Sequence, residues 1–266
     1  MPQISGKTVL LPIIGRPIEQ VKAPQFFNDF FAKGGIDAVT TAFELSDDGA
    51  NAFIRMIREC ANAAGYIATI PHKQRSAVAC DVLSKRGAFL GAVNLIRREA
   101  DGRLVGDMTD GLGCVNAMRS HGVDPKGKTA MVVGVGGAGS AIAHALAEAG
   151  VRHLSLTDLD LDRAAALAKR LGEAFPQVQI VVGSPDMATV DIAANASPVG
   201  MNGDPNLPHS LDGIRAGALV SDVVTNPEAT PWLQAARERG CIGQTGREMV
   251  AGQFELMATH FGFPID

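Results

Sequence analysis

Two sets of residues in this chain have types and spacing suited to chemistry. The first is Gly134-Val135-Gly136-Gly137-Ala138-Gly139, which fits G-x-G-x-x-G. It joins an apolar run, Ala130 to Val135, to an alanine-rich stretch, Ala138 to Ala149, as a strand–turn–helix dinucleotide site requires. There the first glycine permits a tight turn, the second lets backbone approach a pyrophosphate, and the third allows close helix–strand packing. The second set comprises Thr69-Ile70-Pro71-His72-Lys73, Gly91-Ala92-Val93-Asn94 and Gly106-Asp107-Met108-Thr109-Asp110-Gly111-Leu112-Gly113. Each puts polar groups at the end of an apolar strand or in a glycine turn, where side chains can converge. A lysine such as Lys73 can relay the proton of an alcohol while hydride leaves the same carbon, and an aspartate such as Asp110 can orient hydroxyl and ammonium. Taken singly, Lys73 also suits a solvated helix start and Asp110 a turn. The glycine loop in the same chain favours the chemical role.

Asp158 ends the next expected strand, about 20 residues past the loop, where an acid accepts ribose hydroxyls. Asp160 and Asp162 follow, and no arginine occurs before Arg163. A 2′-phosphate placed there meets like charge, so NAD is expected over NADP. The plainer use of Asp158 is to cap the following helix.

The positioning elements follow from periodicity. Val9 to Ile14 reads as a strand, Pro24 to Phe31 as a helix, and Tyr66 to Ile70 as a short strand. Ser46, Asp47 and Asp48 open a helix whose apolar face is Phe53, Ile57, Cys60, Ala61 and Ala64, with Gly65 ending it. Beyond the glycine loop, strands are expected at Leu154 to Thr157, Val178 to Val182, Val190 to Ala194 and Ala218 to Val224, and a helix at Arg163 to Phe175. This alternation predicts a parallel sheet with helices on its faces. The fold class is α/β in two domains: an N-terminal α/β substrate domain (residues 1–103) and a Rossmann-type doubly wound domain (104–237), with a C-terminal helical return (238–266). Arg247, Glu248 and Gln253 are expected on one C-terminal helix, with Gly246 at its start.

Composition narrows the classes. The 266 residues are 46% hydrophobic and carry 28 acids against 24 bases, net -4, which disfavours general attraction to nucleic acid. The four cysteines (60, 80, 114, 241) form no Cys-x-x-Cys pair, so Cys60 and Cys114 read as reduced core residues. The six histidines form no metal-ligand spacing, so no metal is expected. No signal peptide or membrane-length apolar run is evident, and the expectation is a cytoplasmic protein. The expected partner is a small molecule, without nucleic acid or membrane, in a monomer or homodimer.

The three polar segments, in this order and with the glycine loop, resemble the shikimate dehydrogenase family, from Gly15-Arg16-Pro17-Ile18 to Gln253. That resemblance implies two α/β domains separated by a cleft and reversible hydride transfer between nicotinamide and a ring alcohol of a cyclic hydroxy acid. It gives Lys73 the catalytic lysine role and Asp110 that of its partner, with Thr69, Asn94 and Gln253 as substrate contacts. Asn195 to Met201 resembles the family's Asn-Ala-Thr-x-x-Gly-Met stretch beside the cofactor, with Ser197 in the threonine position. Asp222 to Thr230 resembles its Asp-x-x-Tyr-x-Pro-x-x-Thr strand end, with Val223 at the cofactor, and the resemblance also sets Gly246, at the start of the C-terminal helix, near the nicotinamide.

The departures bear on substrate identity. The family's Ser-x-Ser-Pro motif, whose serines hold the substrate carboxylate, is here Gln20-Val21-Lys22-Ala23-Pro24. Val21 and Ala23 therefore stand at the substrate positions without hydroxyls. Thr225 replaces the tyrosine, and Ile67 replaces an asparagine two residues before Thr69. Each lost charge-assisted hydrogen bond is worth roughly 1.5–3 kcal/mol. Lys22 or Arg16 could substitute, or the substrate lacks that carboxylate. A changed substrate is favoured. The competing expectations are a non-catalytic or regulatory NAD-binding homologue, a dehydrogenase for a less polar alcohol, and a folate-linked dehydrogenase of similar build.

Overall fold

The computed structural model describes residues 4–19 and 21–265; Gln20 lies outside them. The chain forms two compact units, residues 1–109 with 256–266 and residues 110–255.

The first unit contains β1 (Val9–Leu10), β2 (Ile13–Gly15), α1 (Ala23–Lys33), β3 (Ala38–Val39), β4 (Ala42–Glu44), α2 (Asp47–Glu59), β5 (Gly65–Ala68), α3 (Lys73–Ala79), β6 (Val82–Leu83), α4 (Lys85–Leu90), β7 (Leu95–Arg98) and β8 (Leu104–Asp107). Its six-stranded sheet runs β4-β2-β5-β7-β8-β6, and β1 pairs separately with β3. The sheet is mixed: β4, β2 and β5 are parallel, whereas β7 is antiparallel to both β5 and β8. The run expected as one strand at Val9 to Ile14 is thus two. Pro12 interrupts it, having no N–H to donate, and its carbonyl accepts from Ile67 N at 2.8 Å.

Helix α2 begins as its sequence indicates, Ser46 accepting from Gly49 N at 3.2 Å. Ala50, Phe53, Ile54 and Ile57 form its buried face. It ends earlier than expected, at Glu59, with Cys60 extended. Ala61 and Ala64 are consequently not on its face. Leu10 captures this segment instead: Leu10 N donates to Asn62 O and Ala64 N donates to Leu10 O. Cys60 is half-buried, unlike the core cysteine Cys114.

The second unit contains α5 (Asp110–Ser120), β9 (Thr129–Val133), α6 (Gly137–Glu148), β10 (His153–Thr157), α7 (Leu161–Ala174), β11 (Gln179–Val182), β12 (Ile192–Asn195), β13 (Leu219–Asp222), α8 (Pro231–Glu238), β14 (Ile242–Gln244) and α9 (Gly246–Ala251). Its six strands are all parallel, in the order β11-β10-β9-β12-β13-β14. This is the doubly wound Rossmann order, with the topological switch between β9 and β12. Met131, Ala193, Val220, Trp232 and Leu233 form a fully buried cluster against it. Burial on both faces explains why the central strands β9, β12 and β13 read as buried runs, whereas the edge strand β11 is largely exposed.

The units divide at Thr109/Asp110 and at Glu255/Leu256, not at residues 103 and 238. Residues 104–107 pair with β7, and 242–244 pair with β13. The C-terminal helix is also interrupted. Arg247 and Glu248 lie on α9, but Gln253 falls between α9 and α10 (Phe254–Phe261). At Gly252 the backbone lies so close to α5 that an added Cβ would collide with the Gly113 carbonyl, and Asn116 Nδ2 holds the Gly252 carbonyl at 3.0 Å. No helix among the described residues is long and apolar enough to cross a membrane.

Candidate active-site and coenzyme residues

In the first unit, the carboxyl ends of parallel strands β4, β2 and β5 lie side by side. Thr69 follows β5; its N–H donates to Ile14 O and its carbonyl accepts from His72 N. Lys73 is the half-buried first residue of α3, and its carbonyl accepts from Val93 N. Asn94 is 3% exposed: its Oδ1 accepts from Thr109 N at 2.9 Å and its Nδ2 donates to Thr109 Oγ1 at 3.2 Å. Its carbonyl accepts from Ala68 N, so Thr69, Lys73 and Asn94 are tied together through β5 and its neighbour β7. His72, fully buried, bonds the Leu45 carbonyl through Nε2 at 2.9 Å and anchors the turn before Lys73. Val21 and Ala23 are both half-buried, Ala23 opening α1 and Val21 donating from its N–H to Ile18 O.

In the second unit, Asp110 is the buried first residue of α5, and Gln253, 4% exposed, lies against Gly113 of the same helix. The glycine loop joins β9 to α6. Gly134 has φ +84, and a Cβ there would press on Ser197 N and the Ala196 backbone. At Gly139 a Cβ would strike the Gly134 carbonyl. Gly136, the N-cap of α6, and Gly137, its first residue, are exposed with open space beside them, and Ala138 continues the first turn. The loop therefore leaves the amino end of α6 accessible, a cradle suited to a pyrophosphate.

Asp158 follows β10. Its Oδ2 accepts from Val135 N at 2.7 Å, and its Oδ1 accepts from Asp160 N at 2.9 Å and Arg163 Nη2 at 2.7 Å. Burial alone would raise its pKa, but these donors outweigh it and hold the carboxyl below its ordinary value. The N-cap of α7 is Asp160, not Asp158. Gly134, Gly136, Asp158 and Ser197 line one cavity of about 410 Å³, together with Arg163 and His209. The sequence alone did not indicate the last two. Capping by Asp160 was the available signal for Arg163, since it sets that residue in the first turn of α7, facing back to the strand end.

Ser197 donates to Asn195 Oδ1 from both N (2.9 Å) and Oγ (2.7 Å). Asn195 Nδ2 in turn donates to Asp222 Oδ1 at 3.0 Å, and Thr230 Oγ1 donates to Asp222 Oδ2 at 2.7 Å. Burial pushes the Asp222 carboxyl up against these hydrogen bonds. This buried network fixes the loops after β12 and β13. Val223 donates to Asn195 O at 3.1 Å, and Gly246 packs on the Val223 and Val224 carbonyls. Gly137, Ala138, Gly139, Val223 and Gly246 thus lie outside the lining of the cavity that Gly134, Gly136, Asp158 and Ser197 share.

The parallel sheet and its glycine loop define a Rossmann-type α/β protein with a separate α/β unit built around its amino-terminal segment. Residues 13–96 match the shikimate dehydrogenase substrate binding domain. The chain is 35% identical over 257 residues to shikimate dehydrogenase (NADP(+)) of Rubrobacter xylanophilus, covering 95% of this chain and 90% of that protein. Among solved structures, shikimate 5-dehydrogenase of Listeria monocytogenes, in complex with shikimate and NAD, superposes with TM-score 0.89 at 30% identity, covering 98% of this chain and 93% of that one. Quinate dehydrogenase of Corynebacterium glutamicum, in complex with NAD, gives TM-score 0.86 at 28% identity, covering 96% and 93%. The chain belongs to the shikimate dehydrogenase family.

Proposed function

We propose that this protein is a nicotinamide-dependent oxidoreductase transferring hydride reversibly between NAD and a ring alcohol of a shikimate-like substrate. The observation that carries the coenzyme half is the single cavity lined by the open glycine loop, Asp158 and Ser197. A bound nicotinamide would accept or supply the hydride. The first-turn amides of α6 would hold the pyrophosphate, and Asp158 the adenosine ribose. Lys73 takes the hydroxyl proton as the alcohol becomes a carbonyl. Asp110 takes the role of its partner, and Thr69, Asn94 and Gln253 those of substrate contacts, as the family resemblance implies.

NAD is favoured because the Asp158 carboxylate, with Asp160 beside it, opposes a 2′-phosphate. Arg163 supports a second reading: its guanidinium lies on Asp158 in the same cavity, and the relatives' names carry NADP(+). The test is steady-state kinetics with shikimate and quinate against both coenzymes, alongside direct coenzyme titration. Higher kcat/KM with NAD supports the assignment, and a clear NADP preference transfers it to the second reading. Coenzyme binding with no oxidation of any cyclic alcohol would favour a non-catalytic homologue.

A further inference from the structure

The carboxyl end of β4 carries an acid that the reaction above does not use. Glu44 pairs in register with Gly15 of β2, and Ile14 of β2 pairs with Ala68, the residue before Thr69. Glu44 Oε2 accepts from Ile18 N at 3.3 Å. A Cβ on Gly15 would press against both Thr69 Cγ2 and Ile18 Cδ1. Glu44, Ile18, Gly15 and Thr69 are therefore neighbours across the ends of three parallel strands. Two strand spacings, about 10 Å, separate the β4 and β5 ends, a span of the order of a substituted six-membered ring. Along the segment that follows Ile18, Val21 and Ala23 offer no side-chain donor to an anion.

We propose that Glu44 is a specificity-determining residue, and that it selects a neutral polyhydroxylated ring alcohol, or the matching ketone, over a ring bearing a carboxylate. This rests on the hydride-transfer function proposed above. A carboxylate is an acceptor only, so it engages ring hydroxyls and repels a second carboxylate at this range. Arg16 and Lys22 are the rival receptors for a substrate carboxylate, both exposed in the same segment.

Shikimate and its methyl ester separate these possibilities, because they share the ring and the reacting alcohol and differ in charge. The wild-type protein should oxidise the ester with at least ten-fold higher kcat/KM. E44Q, which keeps an acceptor and loses the charge, should raise kcat/KM for shikimate about ten-fold and leave the ester little changed. Added salt should lower the wild-type KM for shikimate, as screening of a charge repulsion requires. A wild-type preference for shikimate overturns the inference, as does an E44Q ratio equal to wild type, or a K22A variant that alone abolishes shikimate turnover. Coenzyme binding without oxidation of either ring or of myo-inositol, or failure to bind either coenzyme, would instead overturn the hydride-transfer function itself and this inference with it.

Discussion

Lys73 and Asp158 carry opposite parts of the proposed chemistry, and single substitutions separate them. Lys73→Ala removes the proton relay, which typically contributes 10²- to 10⁴-fold, and should lower turnover by about that factor. Coenzyme affinity, read by fluorescence titration, should not change, since Lys73 belongs to the first unit and the glycine loop to the second. Near-normal turnover would contradict the role. Asp158→Asn removes the like charge nearest a 2′-phosphate and leaves Arg163, its 2.7 Å partner, with only the Asp160 carboxylate at 4.0 Å. The kcat/KM ratio of NADPH to NADH should rise at least ten-fold. An unchanged ratio would mean that this strand end does not discriminate.

Local stops and starts set the geometry at the level of elements. The capping box of α9, in which Thr245 Oγ1 accepts from Glu248 N and Glu248 Oε2 accepts from Thr245 N, fixes the start of the helix that leads to Gln253. Thr245→Ala should cost about 1 kcal/mol in urea denaturation, the usual loss for such a cap. A fully retained stability would show that packing against α5 alone defines that start. In the glycine loop, Gly139→Ala sets a methyl group against the Gly134 carbonyl, so coenzyme binding should weaken sharply. Gly137→Ala, with open space beside it, should perturb the fold less while intruding on the pyrophosphate cradle.

Across the whole molecule, several carboxylates are tied to the folded state. Asp81 is held below the ordinary range by Arg58, and in Glu248 the Thr245 donors and His121 outweigh burial; Asp158 behaves likewise. Lowered folded-state values stabilise the fold above the unfolded carboxylate range of roughly pH 4, and that stability is lost as pH falls through them. Asp222 runs the other way, because burial raises its carboxyl and its ionisation costs stability as pH rises. The three lowered groups, with Asp101 and Asp204 also lowered by their hydrogen-bond donors, outnumber it, so the urea midpoint should fall between about pH 5 and 3, and more steeply in Asp222→Asn. A midpoint that rises on acidification would refute this balance. The amino-acid sequence by itself determined the second unit's parallel sheet, the glycine loop and the acid after β10. Those depend on apolar runs, glycines and spacing within one stretch of chain. Only the tertiary structure decided that Val9 to Ile14 is two strands, that α2 stops at Glu59, and that Gln253 lies in a helix break. Each of these depends on backbone partners far along the chain: Ala38 for Val9, Leu10 for Ala64 and α5 for Gly252. The same applies to Glu44, whose neighbours Gly15 and Ile18 are brought to it by sheet register.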